Sequence, residues 1–530
     1  MKLRQSAIAV TLGLCTVVPS ITAFGGGQDK LGAIRFPIGC QPAVQETFNR
    51  AVALQISYFW APARKAFHEV LAQDPACAMA HWGIAVVNLD NLLAAPPSAK
   101  NLAEGAAAIG KARALGGRSP RENEYISAVE SFYRDHDSIS HRDRLVRYES
   151  ALEGLHQRFP DDRNAAAYYA LALLTTHSPN DQTYAKPLKA AKILEAVFTV
   201  EPDHPGAAHF LIHSYDYPPI AKHGLGAARK YAGIAPAAPH ALHMPSHIFT
   251  RLGHWQESID TNLRSAKSCD TPRCELHALD YAMYAYLQLG RDADAGRLAE
   301  RVLAWPEAEP AFVGAYALAS MPARFALERG KWADAAQLKL TAQKEGAWAK
   351  APQAESVLVF ARGLGAARSG NMAQAKLELE RLRAIHQALL AAKSGYWAEQ
   401  AEIQGRAVQA WIARAEGRNE EAVQLLRTAA DMEDATEKHP VTPGPIAPAR
   451  ELLGELLVEL GQQSAALREF EKGMEREPGR LRSLYGAAIA AEKSGDKARA
   501  KTHFQRIAEM TRHSTERDEL RGVVAWLARN

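Results

Sequence analysis

Apolar residues recur at i, i+3, i+4 and i+7 along most of the chain, the spacing that places them on one face of a helix. Ala63 to Pro75 reads as one such helix, stopped by Asp74-Pro75, and a second begins at Ala78 and runs through Trp82. Residues 100 to 200 continue as amphipathic segments broken by Pro, Gly and Asp, and no stretch alternates in the period of two that a half-buried strand requires. The helical segments are also self-similar. Gly461 and Gly495, Ala466 and Ala500, and Phe470 and Phe504 are each 34 residues apart, with Pro478 closing the first block. The same order of helix, glycine turn and helix recurs at Gly253, Gly290, Gly330, Gly370 and Gly417, where the intervals leading to Gly461 run 37, 40, 40, 47 and 44. Those wider intervals predict longer helices or loops than in the last two blocks, among them the Pro-rich insert His439 to Pro445.

The blocks around Gly461 and Gly495 resemble the tetratricopeptide repeat, in which glycine turns one helix into the next, a small residue lets the pair approach and an aromatic fills the groove. The resemblance implies an all-α fold, a right-handed α-solenoid of helical hairpins with terminal capping helices. It would span residues 24–530, most regular at about 447–512 and His-rich at about 200–290. It also implies, by default, a concave face that binds peptides or proteins. Composition agrees with helices, since Ala, Leu, Arg and Glu dominate. A net charge of +4 over 530 residues makes no case for nucleic acid. No apolar run reaches 18 residues, so no transmembrane segment is expected.

The first residues change the compartment. Lys2 and Arg4 precede an apolar run from Ala7 to Val18, and Ile21-Thr22-Ala23 offers small-residue cleavage, so residues 1–23 read as a signal peptide. Cys15 follows Leu14, too bulky for a lipoprotein site. The mature chain would be periplasmic or extracellular. It keeps Cys40, Cys77, Cys269 and Cys274, an even number where thiols oxidise, and two disulfides are expected. Cys269 and Cys274 can close a short loop, and Cys40 with Cys77 would tie the entry segment to the first helical pairs; a redox or thiolate-metal role for these cysteines is the alternative.

Histidine carries the candidate chemistry. Of 19 histidines, nine fall between His204 and His277. His209 and His213 are spaced i, i+4, as are His243 and His247, so each pair shares a helical face. The second pair lies 34 residues after the first, one repeat on. Neighbouring helices in an array sit about 8–10 Å apart, close enough for the pairs to meet. Three or four imidazole nitrogens suit Zn or Cu and disfavour Ca and Mg. His209, His213, His243 and His247 are therefore the expected metal ligands, with Asp216, Asp280 and Tyr281 as candidates to hold the rings. Counted from Gly253 and Gly290, His240, Arg251, His277, Asp280 and Tyr284 fall on the same concave face. Arg251 would bind a carboxylate or phosphate of a ligand, or pair with a nearby acid. His439 either folds over the site or is a solvent-exposed loop residue. Pro245 lies inside the second His pair and should kink its helix. A metal-free polar groove and plain structural packing remain as alternatives to the metal.

The segments Asp203 to His213 and His240 to Gly253, with Cys77 to Gly83 and His439 to Pro445, are similar to a group of secreted bacterial tetratricopeptide-repeat proteins. The similarity covers most of the mature chain and transfers no activity. Three functions stay open: an exported binding protein with a His-ligated metal, a metal-dependent enzyme acting on a small anionic substrate, and a metal-free scaffold for a peptide or envelope protein. No HExxH, G-x-S-x-G or Walker sequence occurs to name a reaction.

Overall fold

In the computed structural model, residues 29–305, 312–339, 350–514 and 516–530 are described. The expected signal peptide lies outside them. The described residues form α-helices joined by short turns, with two short 3-10 helices and no strand. The protein is a tetratricopeptide-like α-solenoid: consecutive helices pair as hairpins, and the first helix of each hairpin stacks on that of the next. No helix among the described residues is long and apolar enough to cross a membrane.

The glycine turns follow from backbone sterics. Gly253, Gly290, Gly330, Gly370, Gly417, Gly461 and Gly495 all have φ between +63° and +91°, the left-handed region that a side chain disfavours. Each ends its helix in the same way. The amide one residue past the glycine reaches back to a carbonyl in the last turn, as in His254 N–H to Phe249 O (2.8 Å) and Asp496 N–H to Ala491 O (2.9 Å). That bond satisfies a carbonyl the helix end would otherwise leave open. The wide sequence intervals are explained by long helices, Pro352–Ser369, Met372–Ala391 and Gly395–Ala415, against Leu481–Lys493 and Lys497–Met510 in the last hairpin. Phe470 fills the groove as the repeat pattern requires, lying against Gly454 and Gly486 of two neighbouring helices. The terminal helix Asp518–Arg529 caps the array by laying Trp526 on Phe504, ring centres 4.6 Å apart.

Apolar cores follow one another along the chain, with the largest clusters covering residues 31–249 and 315–526 and a third covering 255–321. The leading segment is pinned across the first hairpins. Ala33 N–H donates to Asp203 O, and Phe36 is fully buried among Phe48, Trp82 and Tyr125. Cys40 is bonded to Cys77, and Cys269 to Cys274.

The array curls so that its C-terminal hairpins return to the central ones. Trp255 Nε1–H donates to Gly479 O (3.1 Å), and Leu481 N–H donates to Gln288 Oε1 (2.9 Å). Arg480 joins Glu328 (2.8 Å), Glu451 (2.9 Å) and the Tyr284 hydroxyl (3.0 Å). The expected open concave face is thus covered here. Arg251, Asp280 and Tyr284 are buried between the two halves instead of lining a groove open to a partner.

Candidate metal centre

Three helical stretches carry the histidines. Pro205–Tyr215 begins with Pro205 at its first position and with His204 as its cap, Nδ1 accepting from Ala207 N–H (3.1 Å). It presents His209 and His213 one turn apart. The next hairpin opens with Pro239–His243 and Pro245–Leu252, interrupted at Met244, because Pro245 has no N–H to continue the ladder. Met244 keeps right-handed helical angles, φ −53° and ψ −36°, so His243 and His247 still lie a turn apart. Pro272–Gln288 supplies His277.

These imidazoles form two trios, His209 with His213 and His240, and His243 with His247 and His277. Within each trio one nitrogen from every ring lies within 4.8 Å of the others. Each combines an i, i+4 pair with one histidine from the following hairpin, so the second trio repeats the first one hairpin later. The four ligands read from the sequence do not meet at one point. They divide between the trios, and His240 and His277 complete them. The trios adjoin: His213 and His247 ring centres are 5.8 Å apart, and those of His240 and His243 5.9 Å.

The partners of the rings decide where their protons sit. His209 Nδ1 faces Ile56 O at 2.8 Å and His247 Nδ1 faces Asp216 Oδ2 at 2.8 Å. His243 Nδ1 faces Asn262 Oδ1 at 2.7 Å, and the Asn262 amide nitrogen is spent on Ser258 O at 2.7 Å. All three acceptors lack a hydrogen to give, so each Nδ1 carries the proton and each Nε2 carries a lone pair. Yet His243 Nε2 and His247 Nε2 stand 3.1 Å apart. Two lone pairs at that distance repel unless a cation lies between them. Metal–nitrogen bonds of about 2.0–2.1 Å in a tetrahedron would set neighbouring nitrogens about 3.3 Å apart, close to what is found. In the first trio, His209 Nε2 faces His240 Nε2 at 3.1 Å, and the buried His213 Nε2 has no hydrogen-bond partner. An unpaired buried nitrogen costs about 1–3 kcal/mol, which coordination would recover.

Burial keeps the rings neutral, as ligands must be. It pushes His209 and His277 down to about 3, and drives His213, His240 and His243 well below the ordinary imidazole value. Asp216 is the charged support. Burial alone would raise its carboxyl, but Lys438 and Arg251 outweigh that and hold it well below the usual carboxylate range. Arg251 Nε donates to Asp216 Oδ1 (2.9 Å), with Glu437 at 3.6 Å and Glu477 at 3.8 Å. It is spent on acids of its own chain.

Other expected residues stand elsewhere. Asp280 pairs with Arg324 (3.3 Å) and Tyr284 with Arg480, so neither holds an imidazole. Tyr281 packs against the His243 and His247 rings (4.9 and 5.1 Å), but its hydroxyl donates to backbone oxygens of the Pro-rich loop. His439 is neither solvent-exposed nor a member of a trio. Both its nitrogens are used, Nε2 on Ala94 O (3.1 Å) and Nδ1 by Val441 N–H (3.1 Å), and Trp397 covers its ring at 5.0 Å. Cys40 and Cys77 lie near Asp74 in a third potential ligand group, but their sulfurs are bonded to each other. Sequence reasoning missed Asn262, Lys438 and Tyr58. Tyr58 is a buried non-glycine residue at φ +55° whose ring stacks on His240 at 5.0 Å. Tyr58 and Lys438 lie in connecting segments and Asn262 on the helix Trp255–Ser268, and none of them carries a residue pattern in the sequence that sets it apart.

No family model and no curated protein matches the sequence. Among solved structures the chain is similar to a human IFIT1 dimer with m7Gppp-AAAA (TM-score 0.40, 13% identity, 82% of this chain and 90% of that one). A human IFIT1 dimer with PPP-AAAA gives 0.37 at 13% identity over 87% and 90%. A tetratricopeptide repeat protein from Parabacteroides merdae gives 0.29 at 12% identity over 55% of this chain and 99% of that one. At these values they carry no functional inference.

Proposed function

We propose that the protein is an exported α-solenoid that binds two transition-metal ions, one on His209, His213 and His240 and one on His243, His247 and His277. The observation that carries this is the 3.1 Å approach of His243 Nε2 to His247 Nε2 while both Nδ1 atoms are committed as donors. Six imidazoles without a thiolate or a coordinating carboxylate favour Zn or Cu. Asp216, Asn262 and the Ile56 carbonyl fix the ring orientations from behind, as supporting groups of metal sites do. The two disulfides and the N-terminal signal pattern support an oxidising compartment and membership of the secreted repeat group. Three ligands per ion leave coordination positions open, the arrangement of a reactive site rather than a closed structural one.

Elemental analysis of protein exported to an oxidising compartment tests this. Two equivalents of Zn or Cu are expected per chain. His213→Ala should lose one equivalent and His277→Ala the other, while His68→Ala keeps both. Protein free of metal, with stability unchanged in both trio variants, would return the histidines to a packing role.

A further inference from the structure

Five of the six imidazoles, His213, His240, His243, His247 and His277, form part of the wall of a cavity of about 410 Å³. That volume is within the range of small-molecule sites. The rest of the lining is mainly apolar and aromatic, with Tyr58, Trp60, Phe312 and Val441. Tyr58 stacks on both Trp60 (4.7 Å) and His240 (5.0 Å), so its ring is committed to the protein and Trp60 offers the aromatic surface to the cavity. Arg273 and Asp90, partly exposed, pair with each other at 3.6 Å among the lining residues.

Charge restricts what can enter. Six neutral imidazoles contribute nothing against two divalent ions, and Asp216, the carboxylate behind His247, is already countered by Arg251 and Lys438. Of the acids lining the cavity, Asp90 is paired with Arg273 and Asp270 is exposed to solvent, so a metal pair so ligated, facing a mainly apolar cavity, favours an anionic donor at its open positions. The same walls favour a flat apolar body on that donor.

We infer that the cavity is a binding site for small aromatic molecules bearing one anionic oxygen, a phenolate or an aryl carboxylate, with the oxygen on the metal pair and the ring against Trp60 and Phe312. This rests on the two-metal proposal above and assigns its ligand class. The body of the ligand makes the selection, because any carboxylate can reach a metal but only an aromatic one gains from stacking in the cavity.

The test uses the full chain loaded with cobalt(II), whose visible bands report ligand exchange, with benzoate and acetate as probes. Benzoate should shift the bands with about tenfold tighter affinity than acetate, since each aromatic contact contributes about 0.5–1.5 kcal/mol. Trp60→Ala should weaken benzoate by about fivefold with acetate and cobalt content unchanged. Ala95→Trp, on a loop that lines the cavity, should block benzoate while the protein keeps its cobalt. If cobalt is bound but benzoate gains nothing over acetate, or is indifferent to both substitutions, the ligand assignment is overturned and the metal centre stands. If cobalt does not bind at all, both fall together.

Discussion

The buried histidines of this chain differ in how their two nitrogens are used. His204 and His439 use both nitrogens on the protein, whereas His209, His243 and His247 use one and offer the other. The non-ligands make a pH prediction. Burial pushes His204 down to about 4, against about 6.5 for an unfolded imidazole. Below pH 6.5 the unfolded chain takes up a proton that the folded chain refuses, so the stability held by neutral His204 is present above pH 6.5 and is lost as pH falls toward 4. The loss approaches roughly 3 kcal/mol by pH 4. Glu433 acts in the opposite direction. Burial pushes it up to about 7, and it weakens the fold as pH rises from 4.5 through 7. Comparing His204→Asn with the parent isolates the first effect, because asparagine keeps a capping oxygen but does not titrate. Urea unfolding of the variant should show a shallower decline between pH 6.5 and 4. Parallel curves for the two proteins would mean that His204 does not titrate as its burial demands.

The helices were legible because their signals are local. Glycine before each second helix, apolar period and terminal proline all act within a few residues, and the seven turn glycines stand where the sequence places them, each left-handed. At Gly370, Gly417, Gly461 and Gly495 glycine is needed for its backbone and not for space, since an added Cβ meets no atom within 4 Å, whereas at Gly253 and Gly290 it would also crowd Pro478 O and Leu520. Gly417→Ala should therefore cost about 1–2 kcal/mol through its φ of +81° alone. Gly110 also has open space around it, but it lies inside the regular helix Ala99–Leu115. There alanine should stabilise by about 0.5–1 kcal/mol. Opposite signs in urea unfolding of the two variants check the distinction, and equal signs would refute it. The interrupted helix at Met244 was legible for the same reason, because the missing amide of Pro245 is a property of one residue.

At the scale of the whole molecule, the return of the C-terminal hairpins turns a repeat array into a closed body. Arg324, fully buried, is the clearest joint. It donates to Thr442 Oγ1 (2.6 Å), Gly444 O (2.7 Å) and Pro445 O (3.0 Å) of the Pro-rich loop while paired with Asp280. Arg324→Ala leaves that carboxylate buried without its cation and the loop carbonyls without donors. A loss of about 3–5 kcal/mol is expected, together with new protease cleavage within residues 439–446. Limited proteolysis with the parent's resistance would show that the loop is held by something else.

The sequence alone determined that the chain is a helical repeat array, where its hairpins turn, and that the unusual histidines recur one repeat apart. All of these depend on neighbours within one or two helical turns and on periodicity. Tertiary structure decided how the six rings divide, since His240 joins the pair from the preceding hairpin and His277 joins the next, a choice set by the stacking of helices. It also decided that Arg251, Asp280 and Tyr284 serve the joint between halves and that His439 is locked by Ala94 O. These contacts link residues tens to hundreds of positions apart, and the long-range packing that makes them depends on the sum of every hairpin's small rotation, which no local pattern encodes.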